Sequence, residues 1–347
     1  MFEVITIGSA TRDAFFEGMK SVIFHDPRLI TKKGIGFPLG AKVKVERVHF
    51  MTGGGVTNTA FTFKRMGLNV SSIFRIGKDV SGETILRELE NEGIDVSLVQ
   101  FDYVQPTAYS VILMAENGER TILSFKGASK NFDFSEIPFK KLETNWLFLG
   151  SLGEKRQNLK FFLKFKKDKS LKLAINPGRE ELIYLKDNYQ DLSYFDIFIV
   201  NQEEASYLTG IDYLNEKKLF QKIDQLVKGI VVMTKGKKGV SVSDGKYLYS
   251  AKAVNYLNYI NRKNFIKRSL KKKETTGAGD AFASAFVGSL IKSGKIDDSE
   301  IEKAIRLALI NSSSVVNYLG AKTGILYLKE IDFSKIENIK IKKIKLN

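Results

Sequence analysis

Short runs of β-branched and aromatic residues alternate with segments of helical periodicity over most of this 347-residue sequence. Such alternation is typical of βαβ units, in which a helix connects two neighbouring parallel strands. We therefore predict an α/β fold with a doubly wound, mainly parallel sheet flanked by helices and with ligands at the carboxyl ends of the strands. The predicted strands are residues 2–7, 71–76, 146–149, 171–175, 197–200 and 230–234. The predicted helices are residues 58–66, 82–92, 202–208, 216–228, 281–292 and 300–316.

Two regions interrupt the alternation, at about residues 14–50 and 106–124. Both are β-rich, contain Gly and Pro turns and lack a long helix. We expect them to form one small β-sheet that projects from the core and acts as a lid, although separate hairpins lying on the core fit the same pattern. Since no low-complexity linker divides the sequence, residues 1–347 are predicted to form a single domain with this lid.

A third unusual region, about residues 256–273, is basic and aromatic. We interpret it as an inserted surface excursion, either a solvated loop or a flap over nucleotide phosphates; single-stranded nucleic acid is the alternative ligand. The formal net charge is +16, from 55 Lys and Arg against 39 Asp and Glu. Because the lysines are spread along the chain, we predict a solvated basic surface that attracts anionic nucleotides and not a nucleic-acid partner.

The amino-acid composition limits the available chemistry. The chain has no cysteine and two histidines, His25 and His49, which argues against a thiol nucleophile, a histidine-rich metal cluster and a Ser-His-Asp triad. No apolar run approaches the roughly 20 residues that cross a bilayer, and residues 1–8 resemble a strand more than a signal peptide. We therefore expect a cytoplasmic protein without a membrane partner, in which phosphates, carboxylates and lysines carry the chemistry.

The most informative motif is Glu274-Thr275-Thr276-Gly277-Ala278-Gly279-Asp280, which leads directly into an apolar helical segment. The small residues Gly277, Ala278 and Gly279 leave backbone N–H groups free, and the following helix adds the partial positive charge of its N-terminus. Such a turn binds anions, as phosphoryl transfer requires. Asp280 is placed to take a proton from an attacking hydroxyl group, but a plain N-terminal helix cap explains this residue equally well.

The whole motif resembles the second signature of the ribokinase, or PfkB, carbohydrate kinase family, usually written Asp-Thr-x-Gly-Ala-Gly-Asp. The run Gly53-Gly54-Gly55-Val56-Thr57-Asn58 and the later Gly77-Lys78-Asp79 resemble the first signature of that family. This resemblance implies a ribokinase-like fold and ATP-dependent phosphorylation of a sugar hydroxyl with Mg²⁺. It also implies that Asp280 is the base and that the amides of residues 277–280 form the anion hole.

The resemblance assigns further residues to the acceptor. Asp13 follows the first strand, where family members place an aspartate that binds substrate hydroxyls, and a carboxylate accepts two hydrogen bonds at once. The first signature adds Gly53, Gly54 and Asn58, whose backbone and amide suit a polyol. A tight turn in which Asn58 caps the helix is the alternative.

Three further segments resemble the nucleotide site of the family. Asn201 and Glu204 match a motif that organises magnesium and phosphates, with Glu204 acting through water, although both also suit a helix cap. The loop 234–239 matches a nucleotide loop, although a plain β-turn fits it too. Asn311 and the turn 320–321 fall where relatives pack adenine. The implied nucleotide-binding residues are Asn201, Glu204, Thr234, Lys235, Gly236, Gly239 and Asn311.

The sequence departs from the family pattern at Glu274, which replaces the usual first Asp of the second signature. In many relatives that position helps to bind a potassium-like ion, so the departure argues against monovalent-cation activation. Arg179, in a variable segment, faces either a substrate anion or solvent. The functional alternatives are a nucleoside kinase of the adenosine-kinase type and a catalytically silent sugar- or nucleotide-binding regulator. Lid edge strands pairing between two copies would give a homodimer.

Overall fold

The computed structural model describes residues 1–29, 32–115, 119–139, 142–156, 158–168, 171–268 and 274–346. The strands are β1 Phe2–Ile7, β2 Thr11–Glu17, β3 Val22–His25, β4 Lys33–Gly36, β5 Arg47–Gly53, β6 Val70–Ile73, β7 Arg75–Gly77, β8 Gln100–Asp102, β9 Tyr109–Met114, β10 Arg120–Phe125, β11 Thr144–Leu149, β12 Lys172–Ile175, β13 Ile197–Asn201, β14 Ile230–Thr234, β15 Val240–Ser243, β16 Tyr247–Ala251 and β17 Ile341–Lys345. The helices are α1 Gly55–Arg65, α2 Val80–Asn91, α3 Asn158–Asp168, α4 Arg179–Asp187, α5 Gln202–Thr209, α6 Glu216–Asp224, α7 Ala278–Ser293, α8 Asp298–Val315 and α9 Phe333–Ile336.

The main sheet has nine strands in the order β17-β16-β15-β14-β13-β12-β11-β1-β6. It is parallel from β14 to β6 and antiparallel from β14 outward to β17. Since the side chains of a strand point alternately to opposite faces, Val4 joins the apolar cluster on one face and Ile5 the cluster on the other. Helices α1, α2, α7 and α8 contribute to the first cluster, and α3 to α6 to the second. The predicted α/β class is confirmed.

A separate four-stranded sheet, the small sheet, has the order β10-β9-β2-β5. Strands from both β-rich regions therefore meet in one small sheet, as predicted, whereas β3 and β4 pair with each other in a separate two-stranded sheet. Phe15, Ile112 and Met114 on this sheet pack with Leu319 near the carboxyl end of the chain. This apolar contact joins the small sheet to the segment that follows α8, while its action as a lid stays a prediction.

Several predicted boundaries are wrong. The strand expected at residues 71–76 divides at the buried residue Phe74, because β7 leaves the main sheet to pair with β8. The helix expected at 216–228 ends at Asp224, since the chain must turn at Gly229, whose backbone packs against Asp196, to enter β14. Helices α3 and α4 and strands β15 to β17 were not predicted.

The basic region that was expected to be a surface excursion is in part a packed segment. Tyr256 and Ile260 are buried, and Ile260 pairs with Ile331. Arg268 forms an ion pair with Glu330 in which both side chains are almost fully buried. Residues 256–268 therefore pack against the carboxyl-terminal segment, because their apolar side chains and this ion pair require shelter from water. Residues 269–273 of the predicted insertion lie outside the described residues.

Candidate active site

The turn of residues 274–280 lies beside the carboxyl ends of the central strands and leads into α7. Gly277 is the N-cap of α7 with φ of 76°, and a Cβ atom there would lie 2.3 Å from the Cβ of Ala321. Both the left-handed backbone and the close approach require glycine at this position. The turn is thereby packed against the segment 320–321, which resemblance had placed near the nucleotide.

Three backbone amides of this turn are free to bind an anion. Within the described ranges, the N–H groups of Gly277, Gly279 and Asp280 donate to no protein acceptor. They belong to the first turn of a 16-residue helix, where the N–H groups have no intrahelical partner and the helix dipole favours negative charge. The structure thus has the donors that an anion hole needs.

Asp280 and Asn58 meet although they are 222 residues apart in the chain: Asn58 Nδ2 donates a hydrogen bond of 2.8 Å to Asp280 Oδ2. The Asp280 side chain is half-buried. Desolvation raises the pKa of Asp280, and the hydrogen bond from Asn58 opposes that rise. A carboxyl group whose pKa is raised is a better proton acceptor near neutral pH.

The other side-chain atom of Asn58 has no partner. Asn58 Oδ1 is buried and accepts no hydrogen bond within the described part of the chain. Leaving a buried carbonyl oxygen without a donor costs about 1–3 kcal/mol. The side chain of Asn58 therefore holds Asp280 with its amide nitrogen, while its oxygen is unsatisfied among the described residues.

Asp13 is buried on β2 and accepts a 2.9 Å hydrogen bond from Thr11 Oγ1. Burial raises its pKa, while hydrogen bonds and the charge of Lys322 oppose the rise. A Cβ atom on Gly53 would lie 2.1 Å from Asp13 Oδ2, and one on Gly55 would lie 3.7 Å from Asp280 Oδ1. Since two residues of chain span at most about 7 Å, Asp13 and Asp280 flank one short glycine-rich segment.

Two cavities share Asp280 and Asn176 in their walls. The first cavity, of about 260 Å³, lies over β13 and β14 and is further lined by Ile199, Asn201, Glu204, Thr234, Gly277 and Gly279. The second cavity, of about 210 Å³, lies over β1 and β11 and includes Ser9, Gly55, Thr59, Gly150, Ser151 and Gly178. The Asp280 side chain therefore lies in the wall of both cavities.

Asn201 and Glu204 line the first cavity and also cap helix α5. Asn201 Oδ1 accepts from the Glu204 N–H, and Glu204 Oε2 accepts from the Asn201 N–H, each at 2.8 Å. Burial raises the pKa of Glu204. The capping explanation and the site explanation of this motif are therefore compatible, because the cap fixes the two side chains at the cavity wall.

Two side chains that were predicted to contact the nucleotide, Lys235 and Asn311, instead bond to other groups of the protein. The Lys235 ammonium group forms an ion pair with Glu216 at 3.0 Å and a hydrogen bond with Ser241 at 2.8 Å. Asn311 is buried and bonds to the carbonyl of Ala281 and the N–H of Leu326, each at 3.0 Å. Thr234 lines the first cavity, whereas Gly236 and Gly239 form the turn between β14 and β15. Neither the Lys235 nor the Asn311 side chain points freely into the cavity.

Sequence reasoning did not assign Asn176, Ser9, Ser151 or Thr59 to the site. Ser9, Ser151 and Asn176 follow β1, β11 and β12 within two residues. Polar residues directly after parallel strands carry a positional signal, because ligands bind at that edge of an α/β sheet. That signal was present in the sequence, but it does not distinguish a cavity wall from an ordinary loop.

Solved structures share this fold. A ribokinase from Cryptococcus neoformans in complex with ADP matches with a TM-score of 0.67 and 21% identity, covering 97% of this chain and 99% of that one. A ribokinase II from E. coli, described as putative, in complex with ATP and Mg²⁺ matches with a TM-score of 0.72 and 14% identity, covering 97% and 98%. The predicted ribokinase-like fold is confirmed.

Sequence relatives and a family model show that the protein is a phosphotransferase whose acceptor is an alcohol group. Residues 29–326 match the model of the pfkB family carbohydrate kinases. The ribokinase of Haemophilus influenzae is 28% identical over 281 residues, which cover 79% of this chain and 83% of that protein. The chain belongs to the pfkB family of carbohydrate kinases. None of the helices in the described ranges is both long and apolar enough to cross a bilayer.

Proposed function

We propose that the protein transfers the γ-phosphoryl group of ATP to a hydroxyl group of a sugar or related small molecule, and that it does so in the cytoplasm. The observation that carries this proposal is the position of Asp280, a half-buried carboxylate between two cavities and beside three free backbone amides. An in-line transfer needs such an arrangement, because nucleophile and phosphoryl donor must approach one point from opposite sides.

The first cavity suits the phosphate chain of ATP. Its wall includes the turn of residues 277–280, whose amides would stabilise charge on the transferring group. We propose that Thr234, Gly236 and Gly239 bind the nucleotide and that Lys235 and Asn311 hold the surrounding loops through their internal contacts.

Magnesium fits the same wall. Mg²⁺ keeps several water molecules and needs one or two carboxylates in addition to substrate phosphates. Glu204 offers a carboxylate and Asn201 an amide at this cavity, and the described residues contain no cluster of three or more metal-binding side chains. We propose that Glu204 holds the ion through water. The ion would neutralise charge on the phosphate oxygens.

The acceptor hydroxyl is proposed to lie against Asp280 and Asn58. Asp280 would accept its proton, and the unpartnered Asn58 Oδ1 would accept a second hydroxyl donor of the same molecule. Asp13, Gly53 and Gly54 would bind further hydroxyl groups, since Asp13 lies against Gly53, two residues before the Gly55 that lies near Asp280. These contacts suit any polyol, including the ribose of a nucleoside, so a nucleoside kinase is the second candidate.

We also propose a homodimer through the small sheet. Its edge strand β10 exposes Ile122, Leu123 and Phe125, and an unpaired apolar edge tends to pair with another strand. Light scattering at micromolar concentration tests this point: a dimer mass is expected, and a monomer mass would contradict it.

The test of the proposed function is an acceptor panel of ribose, fructose, hexose phosphates and nucleosides with ATP and Mg²⁺. Formation of a phosphorylated product is followed by mass spectrometry, with Asp280→Asn as the matched control. Phosphorylation of one acceptor class by the unaltered enzyme alone is expected. Binding of a sugar or nucleotide without any product would favour the silent regulator instead.

A further inference from the structure

Arg120 connects the small sheet to the anion-binding turn. It is the first residue of β10, and its Nη1 lies 2.7 Å from Glu274 Oε1 and 3.2 Å from Thr275 Oγ1. Glu274 and Thr275 open the turn that leads to Asp280. The contact joins residues 154 or 155 positions apart, so it exists only when the small sheet lies against the turn.

The Glu274 carboxylate organises the first half of the turn. Its Oε1 atom accepts hydrogen bonds from the Thr276 N–H at 2.8 Å and from Thr276 Oγ1 at 2.5 Å. The Glu274 N–H also donates to the carbonyl of Val316. Thr276 directly precedes Gly277, whose amide is the first of the three free donors. A shift of the Glu274 side chain would therefore move the anion hole.

The position of Glu274 depends on a positive charge from the small sheet. Its side chain is fully buried, whereas that of Arg120 is 28% exposed. A buried carboxylate is strongly unfavourable unless it is paired and hydrogen-bonded. Within the described ranges, Arg120 is the cation in ion-pair contact with Glu274. If the small sheet moved away, Glu274 would lose that charge and the turn would lose its support.

The small sheet also carries Asp13, on β2, which the proposed function assigns to the acceptor. One rigid sheet therefore holds both an acceptor contact and the cation that fixes the phosphate-binding turn. Bound acceptor would hold the sheet in place through Asp13, and the sheet would complete the turn through Arg120. Phosphoryl transfer would then be favoured when an acceptor is present, and hydrolysis of ATP by water would be suppressed.

Resting on the proposed function, we propose that Arg120 is a positioning residue: its ion pair with Glu274 couples the small sheet to the turn that binds the transferred phosphate. Arg120 touches neither reacting group, so it acts through Glu274 and Thr275.

The experiment measures kcat, KM for ATP, the ratio of ATP hydrolysis to transfer, and Tm for Arg120→Met, Glu274→Gln and the double variant. Arg120→Met is expected to lower kcat roughly 10- to 100-fold and to raise the hydrolysis ratio, because the buried Glu274 side chain loses the ion-pair partner that holds it. Glu274→Gln keeps an oxygen for Thr276 and removes the charge. The double variant should therefore recover part of the kcat that Arg120→Met loses, which is non-additive behaviour.

Two controls separate positioning from general stability. Arg47→Met removes another arginine of the small sheet, one that pairs with Glu17 and not with the turn, and should leave kcat unchanged. Guanidinium ion at non-denaturing concentration should restore activity to Arg120→Ala more than tetramethylammonium does. Only guanidinium has the planar set of N–H donors that the Arg120 side chain provides.

The results that would contradict the role of the Arg120–Glu274 ion pair differ from the result that would contradict the proposed kinase activity. No transfer by the unaltered enzyme to any acceptor would count against the kinase proposal itself. An active enzyme whose Arg120→Met variant retains full kcat would overturn the coupling. So would additive losses in the double variant, or a lowered Tm with normal kcat per folded molecule, since these indicate a purely structural ion pair.

Discussion

The two ends of the anion-binding turn each carry an acid, and the surroundings of these acids differ. At the start, Glu274 is fully buried, contacts Arg120 at 2.7 Å and accepts two hydrogen bonds from Thr276. At the end, Asp280 accepts from Asn58 and forms no ion pair within the described ranges. A nearby cation favours the charged form of a carboxylate, whereas desolvation without a cation favours proton uptake.

Charge pairing is the difference between the two acids of this turn, since Glu274 has an ion-pair partner and Asp280 has none among the described residues. Both residues are acidic, both are at least half-buried, and they are six positions apart in one motif. Glu274 pairs with Arg120 and holds the backbone of the turn, while Asp280, the proposed base, lies in the wall of both cavities. Each prediction below tests whether that division of roles holds.

The largest effect is expected for Asp280→Asn. The substitution preserves size and hydrogen bonding but removes the proton acceptor, so kcat should fall roughly 10²- to 10⁴-fold. ATP and acceptor affinity should change little, because the free amides and Asp13 remain. Initial rates and calorimetric binding check both parts, and unchanged turnover would show that Asp280 is not the base.

Asp224 provides an acid outside the two cavities. It accepts from Ser243 Oγ at 2.7 Å, and burial raises its pKa from an ordinary 3.8 to about 6. Because the folded-state pKa is raised, the stability that protonation provides is complete below about pH 4 and is lost as pH rises through about 6.

Asp224→Asn should therefore raise the free energy of unfolding by about 1 kcal/mol at pH 7.5, after allowance for partial exposure, and have no effect near pH 4. Urea unfolding at both pH values measures the difference, and kcat should stay normal. A loss of kcat in Asp224→Asn would mean that a carboxyl group outside the two cavities also contributes to catalysis. That result would weaken the proposal that Asp280 alone is the base.

The smallest effect is expected for monovalent cations. Since Arg120 supplies the positive charge beside Glu274, replacing K⁺ by tetramethylammonium at constant ionic strength should change kcat less than about twofold. Steady-state assays in the two salts make the comparison. Strong activation by K⁺ would indicate that the protein alone does not neutralise this end of the turn.

The sequence predicted the α/β class and the small-residue turn before α7 because these depend on local information. Alternating periodicity reports βαβ units, and the small residues 277–279 report a turn whose amides are free. By contrast, the sequence did not predict strand β17, because its residues belong to a lysine-rich segment. Its residues Ile341–Lys345 pair with β16 at the sheet edge, where exposed lysines are favoured because they prevent pairing with other chains.

The remaining parts of the site depend on contacts between distant segments, which no local pattern reveals. The pairing of Arg120 with Glu274 joins the small sheet to the turn, and Lys235 bonds to Glu216 on a different element. The ion-pair partner of a long side chain such as Arg120 or Lys235 depends on which groups the fold brings close to it. The sequence therefore located Lys235 beside the nucleotide loop without revealing where its charged group lies.

The most direct test of the central claim is the pH dependence of kcat/KM for the unaltered enzyme and for Asn58→Ala. This parameter reports the pKa of the essential base in the free enzyme. The Asn58 hydrogen bond lowers the pKa of Asp280, so its removal should move the acidic limb to higher pH, whatever the loss of acceptor affinity. An acidic limb that stays in place would show that the titrating base is a group other than Asp280.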